Sequence, residues 1–147
     1  MSNWTIITAD DLKATGLGFV IDKAQTAATG GTDPIAEEIE GAVARVRRAI
    51  TGSALDADPA KVPNSLKPVA RRMALFALME RIRLPLSDDH KKSRDADNSD
   101  LLRISDKRIP VETPDVSGGN AEMSPLGGVV AVNVPSRLTG RDRTSGL

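Results

Sequence analysis

The segment LKPVARRMALFALMERIRL, residues 66–84, decides the fold because a helix formed by it is apolar on nearly every face. Leucine, valine, methionine, phenylalanine and isoleucine recur along it, with alanines between them. Such a helix lies at the centre of a bundle or beneath neighbouring subunits. Pro68 falls in the first turn, where its missing N–H is tolerated, and Pro85 ends the helix. Asn64 or Ser65 is the expected N-cap, so the segment predicts the buried central helix of an all-α fold.

An amphipathic helix is predicted before it, between Asp33 and Ile50. Asp33 is the expected N-cap, and Pro34 occupies the first turn. The apolar residues that follow are spaced by four, four, three and four positions, which places them on one face: Ile35, Ile39, Val43, Val46 and Ile50. Glutamates come early and arginines late on the other face, in the order that the helix dipole favours. One apolar seam of this helix therefore faces the core.

Two weaker helices complete a predicted bundle of about four. Thr8 and Asp11 match a capping box, which begins a short helix that ends at Gly16 or Gly18. Residues 24–32, rich in glycine, threonine and alanine, are predicted to form a loop.

The last predicted helix begins near Ser87 and is polar as far as Asp100. Only Leu101, Leu102 and Ile104 provide apolar side chains for it to bury. A helix with so little to bury is marginal in isolation. We therefore expect it to be partly frayed, or ordered by a neighbouring element.

The C-terminal residues 110–147 have the composition of an extended arm. They contain six of the twelve glycines and four of the nine prolines, and they show no helical periodicity. One run, VVAVNV at residues 129–134, is suited to a short β-strand. The predicted organisation is a helical body at residues 1–109 and a long docking arm at residues 110–147.

Composition excludes several classes of function. The 147 residues include 20 basic and 20 acidic side chains, so no net field attracts nucleic acid or a membrane surface. Cysteine is absent, which excludes disulfides and thiolate metal sites. No apolar segment approaches the ~18 residues of a spanning helix, and no signal peptide is apparent, so no membrane partner is expected.

Residue patterns that support catalysis are also missing from the sequence. The single histidine, His90, lies in a polar run without partners for catalysis or metal binding and is expected at a solvated surface. The nearby aspartate pairs alternate with lysines and an arginine, which is typical of an exposed charge-balanced face. The glycine pairs lack the residues of a phosphate-binding loop. We therefore expect no enzyme activity, no metal and no cofactor.

Five arginines of the body are candidates for contacts between subunits or for lining a channel: Arg45, Arg47, Arg48, Arg71 and Arg72. They flank the two strongest predicted helices. Interspersed acidic residues favour a solvated charged face or intersubunit salt bridges over recognition of a DNA sequence. In a ring, the same side chains would line a channel through which DNA passes without its sequence being read.

Four stretches in this order resemble the head–tail connector proteins of tailed bacteriophages, also called adaptor or head-completion proteins. They are TIITADDL at residues 5–12, DPIAEEI at 33–39, PNSLKP at 63–68 and LLRIS at 101–105. The resemblance covers about residues 5–108. The chain departs from the usual pattern in its long loop before Asp33, its lack of tyrosine and its polar last helix.

The resemblance implies a structural protein of the virion neck. Such adaptors form a ring, commonly of twelve copies, beneath the portal protein. They extend the DNA channel, with non-specific contact to packaged DNA, and present a platform for tail or neck completion proteins. Their C-terminal segments commonly reach the portal, and synthesis takes place in the host cytoplasm.

The arm is long enough for that role, since residues 110–147 span roughly 120 Å when fully extended. The run at residues 129–134 is suited to adding a strand to a partner's exposed edge. Basic residues around a leucine follow it and are suited to acidic or carbonyl-lined grooves. The predicted portal- or partner-binding residues are Val130, Val132, Val134, Arg137, Leu138, Arg141, Arg143 and Leu147.

Two other functions fit the same features. The first is a helical DNA-binding or regulatory protein with a disordered C-terminal tail. The second is a small packaging or assembly factor that is absent from mature particles. Ring formation on a portal distinguishes the connector from the regulator, and presence in mature virions distinguishes it from the transient factor.

Overall fold

The computed structural model of the protein describes residues 2–51 and 53–115. The predictions made for residues 116–147, including the β-prone run and all eight partner-binding residues of the arm, lie outside this range. Within it, the chain forms five α-helices, one short 3₁₀ helix and two short β-strands. The predicted all-α fold class is confirmed.

The elements follow one another along the chain. Strand β1 spans Trp4–Ile6 and pairs antiparallel with β2, Lys61–Pro63, so that Thr5 lies opposite Val62. A 3₁₀ helix, Asn64–Leu66, follows β2. The α-helices are α1 (Ala9–Lys13), α2 (Gly18–Thr26), α3 (Pro34–Ala49), α4 (Lys67–Arg81) and α5 (Asp88–Ser105).

Helix α2 is the element that sequence periodicity did not indicate. It begins at Gly18, which the sequence suggested as a helix stop, and it buries Val20, Ile21 and Ala24. Residues 24–26, predicted as loop, are its last turn. Its nine residues pack against α3 and α4, so tertiary burial decides its conformation.

Three of the predicted helix starts are confirmed. Thr8 Oγ1 accepts a hydrogen bond from the Asp11 amide, and the Asp11 carboxylate accepts one from the Thr8 amide, which completes the capping box. Asp33 caps α3, accepting from the Ile35 amide at 3.0 Å, and Ser87 caps α5.

The predicted cap of α4 is wrong, because neither Asn64 nor Ser65 caps that helix with its side chain. Both residues lie in the 3₁₀ helix instead, and the Asn64 side chain donates to the Ser2 carbonyl at 2.8 Å. The N–H of Ser65 donates to the Glu112 carboxylate at 3.2 Å. These bonds tie the start of α4 to the chain termini of the described region.

The core forms around α4, as its apolar composition predicts. Ala70, Ala74 and Leu78 are completely buried, and other helices contribute side chains that are equally inaccessible, among them Leu12 and Ile21. Helices α1, α2, α3 and α5 all pack against α4. The buried centre of the body is therefore α4.

Helices α4 and α5 end in the same way. Arg83 and Lys107 adopt positive φ angles of 56° and 59°. In each case the next residue donates its N–H five positions back: Leu84 to the Met79 carbonyl and Arg108 to the Arg103 carbonyl, both at 2.8 Å. This is the Schellman motif, in which glycine is the usual residue with positive φ.

Residues 109–115 pack on the body. Ile109 and Val111 contact the core, and the Trp4 indole N–H donates to the Glu112 carbonyl at 3.1 Å. The Asp115 carboxylate accepts hydrogen bonds from the backbone and side chain of Asn3 at 2.8 and 3.0 Å. Contacts with the body thus continue past residue 109, where the sequence placed the end of the body. In the described part of the chain, no helix is long and apolar enough to cross a membrane.

Candidate partner-binding groove

An open apolar groove of about 610 Å³ lies between the end of β1, the start of α1 and one face of α3. Its lining on α3 follows helical spacing: Ile35, Ala36, Ile39, Glu40, Val43, Ala44 and Arg47. The opposite side is formed by residues 6–9 and by Pro59 and Ala60. Ile35 and Val43 are buried there, Ala36 and Ala44 are exposed, and Ile6 retains 46% of its accessibility. Since alanine side chains are short, an occupant can approach the α3 backbone closely.

Most polar groups that line the groove are already bonded within the protein. The Thr8 hydroxyl donates to the Asp11 carboxylate at 3.0 Å, and the Asp33 carboxylate accepts the Ile35 amide. Glu40 is the exception, because it is exposed and has no ion-pair partner within residues 2–51 and 53–115. Among the described residues, the groove thus offers apolar surface and the unpaired carboxylate of Glu40.

Arg47, one of the five predicted contact residues, fixes the loop before β2. Its guanidinium donates to the carbonyls of Asp56, Asp58 and Lys61 at 2.8, 3.0 and 2.8 Å. The same guanidinium carbon lies 5.6 Å from the centre of the buried Trp4 ring. Because its donors are used inside the protomer, Arg47 shapes the wall of the groove.

Arg72 is also engaged internally. Its Nε and Nη2 donate to the two carboxylate oxygens of Asp97 on α5 at 2.9 and 2.5 Å. Asp97 is 3% exposed, so the expected exposed acidic face is wrong at this residue. The paired carboxylate raises the pKa of the Arg72 guanidinium above its ordinary value. The pair thus connects α4 to α5 through Asp97, a buried residue of a helix that is otherwise mostly exposed.

The other three candidate arginines have no ion-pair partner in the described part of the chain. Arg45 and Arg48 are exposed on α3, one turn apart. Arg71, on α4, is partly buried, and its Nε has no hydrogen-bond partner there. Intersubunit or channel-facing contact remains a prediction for these three, while Arg47 and Arg72 have defined intramolecular partners.

A half-buried ion pair and a more exposed group of three charged side chains lie at the two ends of α4. Lys67 Nζ lies 2.8 Å from Asp11 Oδ1 at the first turn, and Arg81 binds Glu37 at 2.6 Å and Glu38 at 3.3 Å at the last turn. The hydrogen bond from Lys67 lowers the pKa of the Asp11 carboxyl, although partial burial opposes this effect. The two glutamates, Glu37 foremost, raise the pKa of Arg81.

His90 is half-buried, so the expected fully solvated position is only partly correct. Its ring centroid is 5.5 Å from that of Phe76, tilted by 44°, and Nδ1 is buried without a hydrogen-bond partner. The histidine therefore packs the start of α5 against α4. No group of three or more potential metal ligands occurs within residues 2–51 and 53–115.

Sequence reasoning missed the groove because its lining residues come from three separate parts of the chain. The apolar seam of α3 was recognised, but the sequence did not show that Ala36 and Ala44 would stay uncovered. Comparisons of the chain with protein-family models, curated proteins and solved structures give no match.

Proposed function

We propose that this chain is a structural connector of a tailed bacteriophage, which forms a ring beneath the portal, joins the capsid to the tail and extends the DNA channel. The observation that carries the proposal is the apolar groove on a helical body that already has a closed core. Apolar surface left open beside a complete core is typical of a site for protein contact. A docking protein needs such a surface.

The resemblance to connector proteins supports the same conclusion. Its first stretch, residues 5–12, forms β1 and α1, and its second, 33–39, begins α3. The third, 63–68, leads into α4, and the fourth, 101–105, ends α5. The stretches that carry the resemblance thus supply groove lining and the ends of the principal helices. Residues 116–147 provide further chain for contacts with the portal or with tail completion proteins.

The native mass of the full-length protein mixed with the portal ring of the same phage tests this proposal. We expect a mass increase that corresponds to about one copy per portal subunit, because adaptor and portal share one symmetry axis. A portal ring from a phage of another tail type is the control and should give no increase. An unchanged mass of the cognate ring would contradict the proposal.

The protein is also expected in purified mature particles, in a fixed ratio to the portal protein. Quantitative mass spectrometry of virions measures that ratio directly. Presence only in assembly intermediates would favour the transient packaging factor instead.

A second function, DNA binding by a regulatory protein, is favoured by one observation. Arg45 and Arg48 are exposed one turn apart, without ion-pair partners in the described residues. Sequence-specific binding of duplex DNA by the isolated monomer, together with no binding to the portal, would support the regulator. Weak, salt-sensitive binding without sequence preference agrees with a channel lining.

A further inference from the structure

We propose that the groove between β1 and α3 binds residues 129–134 of a second copy of this chain. This inference rests on the proposed ring-forming function, because it requires copies that lie side by side. The neighbouring subunit is thus a binding partner of the arm. Arg141 and Arg143, which lie further along the arm, then remain available for the portal.

The chemistry of the groove selects an apolar occupant. Its volume of about 610 Å³ lies within the ~300–1,000 Å³ of ordinary ligand sites. A small polar ligand would need several free polar groups pointing at it. Asp33, Thr8 and Arg47 are already hydrogen-bonded within the protomer. What remains is aliphatic surface from α3 and from Ile6, which suits a chain of aliphatic side chains.

The run VVAVNV at residues 129–134 fits such a surface. In an extended chain, alternate side chains point to one side, which groups Val130, Val132 and Val134. Asn133, the polar residue of the run, then points away from the apolar floor. Six extended residues measure about 20 Å, close to the ~18 Å that α3 rises between Ile35 and Arg47. The alternation therefore matches a groove with one apolar floor and one open side.

The length of the intervening chain allows contact with a neighbouring copy. Asp115, the last described residue, is bonded to Asn3 beside the start of β1. Residues 116–128 separate it from the valine run, and thirteen residues span up to about 43 Å. A body of about 100 residues has a radius of gyration of only ~13 Å. The chain beyond Asp115 can thus cross to the groove of an adjacent subunit.

Charge also matches at one end of the segment. Glu40 lines the groove, is exposed and has no ion-pair partner within residues 2–51 and 53–115. Arg137 follows Val134 by three positions and precedes Leu138. A guanidinium beside this carboxylate would orient the segment, although an exposed ion pair contributes little to affinity.

Two full-length variants separate the groove from the segment. Ala44→Arg fills the groove from an exposed helix position, and Val132→Asp places a charge on the proposed inward face. Matched controls are Ala96→Arg, on the exposed face of α5, and Asn133→Asp, on the proposed outward face. The first pair makes the same substitution at two places, and the second introduces the same aspartate at neighbouring positions of the segment.

The first measurement uses a synthetic peptide of residues 128–138 and the full-length Val132→Asp protein, whose own arm cannot compete. Trp4 is the only tryptophan and stacks against Arg47 in the groove wall, so its fluorescence reports occupancy. We expect the peptide to bind this protein saturably. Adding Ala44→Arg to the Val132→Asp protein should weaken peptide binding by at least about tenfold, whereas adding Ala96→Arg should not. No binding, or equal binding to both variants, would overturn the proposal.

The second measurement asks whether the segment comes from another copy. Full-length Ala44→Arg keeps its arm but lacks a groove, and Val132→Asp keeps its groove but lacks a binding segment. Native mass spectrometry should show each as a monomer and their mixture as a one-to-one heterodimer. The controls Ala96→Arg and Asn133→Asp should self-associate like the unaltered chain.

A mixture that stays monomeric would overturn the proposal. An unaltered chain that stays monomeric, together with the two controls, would overturn it as well, because each arm would then fill the groove of its own chain. Neither experiment contains the portal, so failure here leaves the mass increase of the portal ring as an independent test of the connector function.

Discussion

Helices α4 and α5 pack side by side with nearly opposite compositions. Eight of the fifteen residues of α4 are buried, and all eight are apolar. Only three of the eighteen residues of α5 are buried, and one of them is Asp97. The comparison teaches that a polar helix can be continuous in this fold without an apolar face along its length. A buried ion pair, a histidine–phenylalanine contact and two aliphatic residues near its end hold α5 in place.

The largest expected effect contrasts the same substitution in the two helices. Leu78→Ala leaves a cavity in α4 at a completely buried position, so it should reduce the free energy of unfolding by about 2–5 kcal/mol. Leu102→Ala in α5, at 67% exposure, should change it by less than about 0.5 kcal/mol. Chemical denaturation followed by circular dichroism measures both. Similar losses of unfolding free energy in the two variants would mean that the Leu102 side chain is buried more deeply than the structure shows.

The next effect tests the ion pair that joins the helices. Arg72→Ala leaves the Asp97 carboxylate buried without its partner, which should cost about 1–3 kcal/mol because the arginine is itself partly exposed. The double variant Arg72→Met, Asp97→Leu should recover most of that loss. A double variant as unstable as Arg72→Ala would show that the pair contributes more than the penalty of an unpaired charge.

The start of α4 provides a pH-dependent test. Asp11 has a lowered pKa in the folded protein, so its contribution is present above the unfolded value of ~3.9 and is lost as the pH falls through the folded value. Asp11→Asn should therefore destabilise the protein by about 0.5–1 kcal/mol at pH 7. The difference should disappear below the folded pKa of Asp11. A pH-independent difference would assign the effect to the capping bonds and not to the charge on the carboxylate.

The smallest effect concerns the second ion pair between the two helices. Arg94 binds Glu80 at 2.7 Å, but both side chains are about half exposed. Arg94→Ala should cost less than about 0.5 kcal/mol, and the cost should decrease at high salt. Thermal unfolding at low and high ionic strength measures this change. A loss as large as that of Arg72→Ala would show that burial does not distinguish the two pairs.

Local patterns predicted the parts of the fold that depend on local physics. Helix α3 begins at the Asp33 cap with Pro34 in its first turn, and its apolar seam is buried, because capping and periodicity act within a few residues. Helix α4 lies at the centre because its apolar residues occur on most of its faces. Of the two expectations for the last helix, fraying or order imposed by a neighbour, the structure shows order, but the Asp97 contact with an arginine 25 positions away was not predicted.

The remaining features depend on residues that are distant in the chain. Gly18 begins α2 because neighbouring helices cover Val20 and Ile21, whereas local preference suggested a stop there. Trp4 bonds to Glu112 across 108 positions, which no local pattern indicates. The groove depends in the same way on how Ile6 and Pro59 meet α3. The candidate arginines were recognised by charge, but the internal roles of Arg47 and Arg72 required the structure.

The Schellman motifs at the ends of α4 and α5 are two places where a substitution would stabilise the protein without altering the core or the groove. Arg83 and Lys107 hold a backbone conformation that a side chain with a β-carbon disfavours by about 1–2 kcal/mol. Replacing either residue with glycine would relieve that cost, less the entropy lost on ordering glycine, for a net gain of up to about 1 kcal/mol. Neither residue lines the groove, so the gain would leave the proposed binding surface unaltered. A protein stabilised in this way would remain folded when disruptive substitutions are made in the groove. A loss of binding in such variants could then be attributed to the groove and not to unfolding.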